Sequence, residues 1–209
     1  MSDSAILLSA FVTLLVTIGP FEAAPVFGEL TRDMTRRERR HLAARAVSIA
    51  GAMLVLFAFA GEELLSLLHV SLPAMRTAGG VLLFLEAVNL MFANPGSSSI
   101  TTTERSEAQP PRDISVFPLA FPLIAGPGSV MAIILLMSKA RGSVALEAGI
   151  LAILAACLLI TLVTFLTVEG LRRILGVTGA DVVGRISGLL LAAMAMQFVF
   201  DGISEGLLR

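Results

Sequence analysis

A chain of 209 residues that is 56% hydrophobic and only 15% charged, with a mean hydropathy of +0.89, is too apolar for an ordinary soluble domain and belongs in a bilayer. Its net charge is −1 and its only cysteine, Cys157, lies in an apolar run, which leaves no second thiol for redox chemistry. Trp and Tyr are absent, so Phe and Arg must mark the membrane interfaces in place of the usual aromatic belt.

A hydrocarbon core about 30 Å thick takes roughly 20 helical residues, and on that ruler the chain divides into six spans, near 5–31, 46–68, 72–93, 116–138, 144–168 and 180–203. The first is read as a membrane helix rather than a secretion signal, because no Lys or Arg precedes Arg32 and the segment continues as helix from Phe21 to Leu30. Arg32, Arg36, Arg37, Arg39, Arg40 and Arg45 follow it, Arg105 and Arg112 lie in the third connection, and Arg172 and Arg173 in the fifth. Lys139, Arg141 and Arg209 fall on the opposite side, while Arg76 and Arg185 begin spans. By the positive-inside rule both termini face outward, and the arginine run is a topology signal touching anionic lipid rather than a grip on nucleic acid. Residues 94–115, rich in Ser, Thr, Pro and charge, read as a mobile linker between a first half, 1–93, and a second, 116–209.

Two Gly-Pro breaks interrupt the apolar segments, Ile18-Gly19-Pro20-Phe21-Glu22 and Ala125-Gly126-Pro127-Gly128-Ser129. Proline removes an amide donor and clashes with the carbonyl four residues earlier, so each break should split a membrane helix near its middle and free backbone groups that hydrocarbon cannot satisfy. An offset of about 107 to 109 positions puts Gly19-Pro20 on Gly126-Pro127, Glu62 on Glu169, and Arg76-Thr77-Ala78-Gly79 on Arg185-Ile186-Ser187-Gly188. Three spans per half is an odd number, which inverts the second copy relative to the first. The expected fold is therefore all-α, six transmembrane helices as two inverted three-helix repeats, with helices 1 and 4 broken near the bilayer midplane.

After each proline, the amides of Phe21, Glu22 and Ala23, and of Gly128, Ser129 and Val130, are expected to be unpaired at the positive end of a helix dipole, a place for an anion. The carbonyls of Val16 to Ile18 and of Leu123 to Ala125 are the negative ends, suited to an ammonium or a coupling cation. Two matched breaks favour a binding function over simple kinks. Glu86, with Asn89 nearly one turn further along, forms a polar stripe expected to face the bundle interior, and Glu22 begins the second half-helix; either acid is a candidate site for a proton or cation. Thr161, Thr164 and Thr167 are read as bonding their own helix, and Gly79-Gly80 and Gly184/Gly188 as close-packing points. His41 and His69 are the only histidines, so no triad or metalloprotease spacing can be assembled and no enzyme is expected. No cofactor is implied.

The runs Ile18-Gly19-Pro20 to Ala24-Pro25-Val26-Phe27, Arg76-Thr77-Ala78-Gly79-Gly80-Val81-Leu82-Leu83-Phe84 and Phe117-Pro118-Leu119-Ala120-Phe121-Pro122-Leu123-Ile124-Ala125-Gly126-Pro127-Gly128 resemble the MarC family of six-span inner-membrane proteins, nearly end to end. Many relatives carry Asp-Pro where this chain has Gly19-Pro20. The resemblance implies a bacterial or archaeal cytoplasmic membrane, and one branch of the family is associated with small neutral amino acids such as glycine and alanine. The expected function is secondary transport of such amino acids, with H+ or Na+ as coupling ion and a small zwitterion as cargo. The substrate-binding residues are then Gly19, Pro20, Phe21, Glu22, Ala23, Gly126, Pro127, Gly128, Ser129, Glu86 and Asn89. An inorganic ion carrier and a non-transporting scaffold are the alternatives, and association into a homo-oligomer is left open.

Overall fold

The computed structural model of the chain describes residues 3–92 and 113–207, without a number of side chains, those of Glu22, Glu86, Asn89 and residues 169–181 among them. The expected linker therefore lies outside the described residues up to position 112. Among the described residues every regular element is helical. In chain order these are α1 (Asp3–Ile18), α2 (Pro20–Leu30), α3 (Arg36–Leu67), α4 (Leu72–Phe92), an irregular α5 (Ser115–Ile124), α6 (Pro127–Ala140), α7 (Val144–Leu166) and α8 (Val168–Leu207). By length and composition α3, α7 and Gly188–Leu207 of α8 can each cross a bilayer, and α5 with α6 can form a fourth span bent by 56°. Ser4–Ile18 and Leu72–Leu85 are shorter apolar helices.

Three connections are more ordered than composition implies. The arginine run expected as a loop is mostly helix: Thr35 caps α3, its hydroxyl accepting from the Glu38 amide while the Glu38 carboxylate accepts from the Thr35 amide and hydroxyl, an arrangement of about 1 kcal/mol. Arg36, Arg37 and Arg40 ride exposed on that first stretch. At the other end of α3, His69 adopts φ +56 and the Val70 amide reaches back to Leu65 O at 2.9 Å, turning the chain directly into α4. The fifth connection is likewise absent as a loop, because α8 begins one residue after α7 and runs for 40 residues.

The segment 116–125, expected as a plain half-helix, is not regular. Pro118 and Pro122 remove two amide donors, and the residue before each is forced extended, Phe117 to φ −127, ψ 125 and Phe121 to φ −132, ψ 129. Both Phe-Pro peptide bonds are cis. The turns between close as wide i→i−5 bonds, Leu119 N to Ile114 O at 3.4 Å and Ala125 N to Ala120 O at 2.9 Å.

The core sits around α6. Met131, Ala132, Ile133, Ile134, Leu135, Leu136 and Met137 are all buried, so the helix has no outward face, and α1, α3, α4 and α7 surround it. Large apolar side chains on the outer helices point away instead, Leu8, Leu56, Phe59, Val163, Leu189 and Phe200 among them, as expected of surfaces solvated by acyl chains. α4 and α8 form the most extensive helix pair. Their approach relies on glycine: a Cβ on Gly80 would lie 2.7 Å from Ala195 O, and one on Gly202 2.8 Å from both Pro73 O and Thr77 N. Thr161, Thr164 and Thr167 donate to the carbonyls four residues back, Cys157, Ile160 and Val163, as read from the sequence.

Helix neighbours recur in pairs. α1 meets α7 as α5 meets α3; α2 meets α7 as α6 meets α3; α2 meets α8 as α6 meets α4; and α1 meets α6 as α2 meets α5. α3 packs on α7 and α4 on α8. Exchanging the two halves maps these pairs onto one another, but three further approaches, α6 to α7, α1 to α8 and α7 to α8, have no comparable counterpart.

Candidate functional site

Both Gly-Pro breaks are present, built by different backbone devices. At the first, Gly19 takes φ +58, the left-handed conformation that glycine enters without steric penalty, and Pro20 becomes the first residue of α2. The Gly19 amide still closes on Leu15 O at 3.1 Å and the Ala23 amide on Gly19 O at 2.9 Å. At the second, Ala125 (φ −93, ψ 57) leaves the winding of α5, and Gly126 is an extended N-cap (φ −73, ψ 171) before Pro127. Val130 N closes on Gly126 O at 3.0 Å.

The expected set of free amides is therefore narrower than the sequence implied. Ala23 and Val130 are committed to their own helices, whereas the amides of Phe21, Gly128 and Ser129 meet no acceptor among the described residues. In an unbroken helix Thr17 O would accept from Phe21 N and Ile124 O from Gly128 N; neither bond is made. These orphaned carbonyls are equivalent in the two halves, since 124 less 17 is 107, as is 126 less 19.

Ser129 joins the breaks. Its hydroxyl, fully buried, lies 2.9 Å from Thr17 O and 2.9 Å from Ile124 O, donating across 112 positions to the end of α1 and back to the end of α5. Thr17 is turned away from this point, its own hydroxyl donating to Thr13 O at 2.9 Å. The two negative helix ends thus converge on one side chain, and the positive ends of α2 and α6, each equivalent to roughly half a charge, begin within a few residues of it.

The surroundings are small and mostly closed. Ile18, Ala23, Ala24, Ile124 and Ala125 are buried, while Phe21 is 44% exposed. Gly128, one of the expected substrate-binding residues, has its bare face against α4: a Cβ there would lie 2.4 Å from Leu83 Cδ2. A Cβ on Gly126 would sit 2.6 Å from Pro122 O. Glu22, Glu86 and Asn89 lie on described helices, but their side chains are outside the described set; Glu86 is three positions beyond Leu83, which places it in register beside the α4 segment that covers Gly128. No group of three or more His, Cys, Asp or Glu among the described residues could hold a metal ion.

Sequence reasoning missed the Ser129 side chain, having assigned only its amide; the signal present was a hydroxyl two residues after Pro127, where capping side chains reach back. It also missed two ion pairs that link the halves, Glu62 with Arg141 at 2.6 Å and Arg76 with Glu205, and one that ties the first half to the end of the expected linker, Arg45 with Asp113. Asp113 also accepts from the Ser115 hydroxyl at 2.6 Å, and that hydrogen bond, ahead of Arg45, holds its carboxyl below the usual range.

The sequence matches the description "MarC family integral membrane protein" over residues 4–207. It is 36% identical to a UPF0056 membrane protein of Aquifex aeolicus over 200 residues, 94% of this chain and 91% of the relative. It is also 36% identical to one of Archaeoglobus fulgidus, covering 95% and 92%, and 32% identical to the UPF0056 inner membrane protein YhgN of Escherichia coli, covering 94% and 95%. No solved structure matches.

Proposed function

The chain belongs to the MarC family of integral membrane proteins, and we propose that it is a secondary transporter of small neutral amino acids of the glycine and alanine type. The observation that carries this reading is the Ser129 hydroxyl bridging Thr17 O and Ile124 O, because it brings two broken helices together at their charged ends. A zwitterion needs an anion site beside a cation site. Here the unpaired amides of Phe21, Gly128 and Ser129 suit a carboxylate, and the orphaned carbonyls suit an ammonium. Small buried neighbours, Ala23, Ala24 and Ala125, favour a cargo with little or no side chain.

The exchangeable helix pairings support six spans arranged as two inverted repeats, with α1–α2 and α4 counted as spans, and such repeats support alternating access by rocking one half against the other. H+ or Na+ is the coupling ion in this reading, with Glu22 and Glu86 as the acids that would carry it. In this reading the membrane is the cytoplasmic one, as the family resemblance implies, and the arginine distribution supports both termini outside.

Purified protein in liposomes tests the proposal. Uptake of labelled glycine or alanine supports it, flux of ions alone replaces it with an ion carrier, and neither leaves a membrane scaffold whose breaks are structural.

A further inference from the structure

We propose that the Ser129 hydroxyl is not a cargo ligand but a displaceable internal donor that stands in for the cargo's ammonium, an inference that rests on the transport reading above. The hydroxyl has one hydrogen and two equidistant acceptors, Thr17 O and Ile124 O, each 2.9 Å away. It can serve one fully or both partially. Both carbonyls have lost the helical amide that would otherwise serve them, Phe21 N for one and Gly128 N for the other. Thr17 offers no second donor, because its hydroxyl is engaged with Thr13 O; Ser129 and Ile124 are buried and Thr17 is half-buried. The pair of carbonyls is thus left with less than its full complement of hydrogen bonds.

An ammonium carries three donors and a full charge, so it satisfies both carbonyls at once and does so with stronger, charge-assisted bonds. Binding then swaps one shared hydroxyl hydrogen for at least two N–H donors, and Ser129 rotates off. Two consequences separate this from direct ligation. Cargo must keep at least two N–H groups on its nitrogen, so glycine and N-methylglycine qualify, while N,N,N-trimethylglycine does not. Removing the hydroxyl must strengthen binding, since the competing internal donor is gone.

Equilibrium binding of glycine to the purified protein in detergent, at fixed pH and over a series of Na+ concentrations, reads both. Ser129→Ala is expected to lower the Kd about fivefold, the equivalent of one ordinary intramolecular hydrogen bond, with N,N,N-trimethylglycine bound by neither protein. Ser129→Cys, whose thiol is a weak donor, is expected to shift the Kd in the same direction by a smaller factor and serves if the alanine variant does not fold. Weaker or unchanged glycine binding by these variants overturns the inference while leaving transport intact, and so does a Ser129→Ala protein that needs more Na+ for binding, which would make the three oxygens a cation site. Trimethylglycine binding as tightly as glycine overturns it as well. Absence of glycine and alanine binding by the unsubstituted protein removes the transport reading and this inference together.

Discussion

Leu83 and Gly128 form a contact whose energetics can be worked through before measurement. An added Cβ on Gly128 falls 2.4 Å from Leu83 Cδ2 and 3.5 Å from Leu83 Cγ, whereas carbon atoms in good contact sit about 3.5–4.0 Å apart. Gly128→Ala therefore pushes the end of a leucine that is 1% exposed into a packed seam between α4 and α8 formed with Ala87, Leu191 and Ala195, at a cost of about 1–3 kcal/mol. Leu83→Ala alone opens a cavity in that seam and costs about 2–5 kcal/mol. Combined, the new methyl has nothing to strike, so the double variant should be more stable than the sum of the singles predicts by the whole clash, about 1–3 kcal/mol. Thermal unfolding of the four purified proteins in one detergent resolves this, since 1 kcal/mol moves Tm by roughly 2–4 °C in a chain of this size. Singles that add to within about 0.5 kcal/mol would refute the claim that the bare face of Gly128 is held against Leu83.

Two further outcomes follow from the long-range ion pairs. Arg76 is 7% exposed, its Nε is buried without a hydrogen-bond partner, and Glu205 accepts from Nη1 while remaining half exposed; removing the acid strands a buried cation, so Glu205→Gln should be less stable than the double variant Glu205→Gln with Arg76→Met, checked by thermal unfolding. For Asp113, the depressed carboxyl pKa means that its contribution is fully present above the ordinary value of 3.8 and is lost as pH falls through the lower folded value. The stability difference between the native chain and Asp113→Asn should accordingly be constant from pH 7 to about 5 and close only in more acid solution.

Much of the fold was legible because membrane spans announce themselves by length and apolarity, and because Gly-Pro is a local instruction to break a helix. The positions of α1, α2, α4, α6 and α7 follow within a few residues from those two signals. Most of what stayed hidden was cooperative. The capping box of Thr35 and Glu38 is a local T-x-x-E pattern, but the hydropathy of the run, which says only that it is not in hydrocarbon, does not report it. The wide turns of α5 were written in the spacing of Pro118 and Pro122, four apart, but a count of apolar residues treats both as ordinary members of a span. The contact of Ser129 with Thr17 depends on how two distant breaks meet, and no local pattern reports it. The contact of Gly128 with Leu83 stayed hidden for the same reason, because Leu83 lies on another helix.

The two breaks look equivalent in sequence, yet their glycines are required for different reasons, and substitution can tell the reasons apart. Gly19 is needed for its φ of +58; an ordinary L-residue held there is disfavoured by about 1–2 kcal/mol, and asparagine less so because its short amide bonds locally in that conformation. Gly126, at φ −73, asks nothing unusual of the backbone. Its constraint is the Pro122 carbonyl, 2.6 Å from any Cβ, which cannot retreat without unwinding the turn that ends α5. Gly19→Asn should therefore retain more stability than Gly19→Ala, whereas at position 126 asparagine should do no better than alanine and both should lose about 1–3 kcal/mol or more. The measurement is again the Tm of each purified variant, and an asparagine that rescues position 126 but not position 19 would invert the assignment.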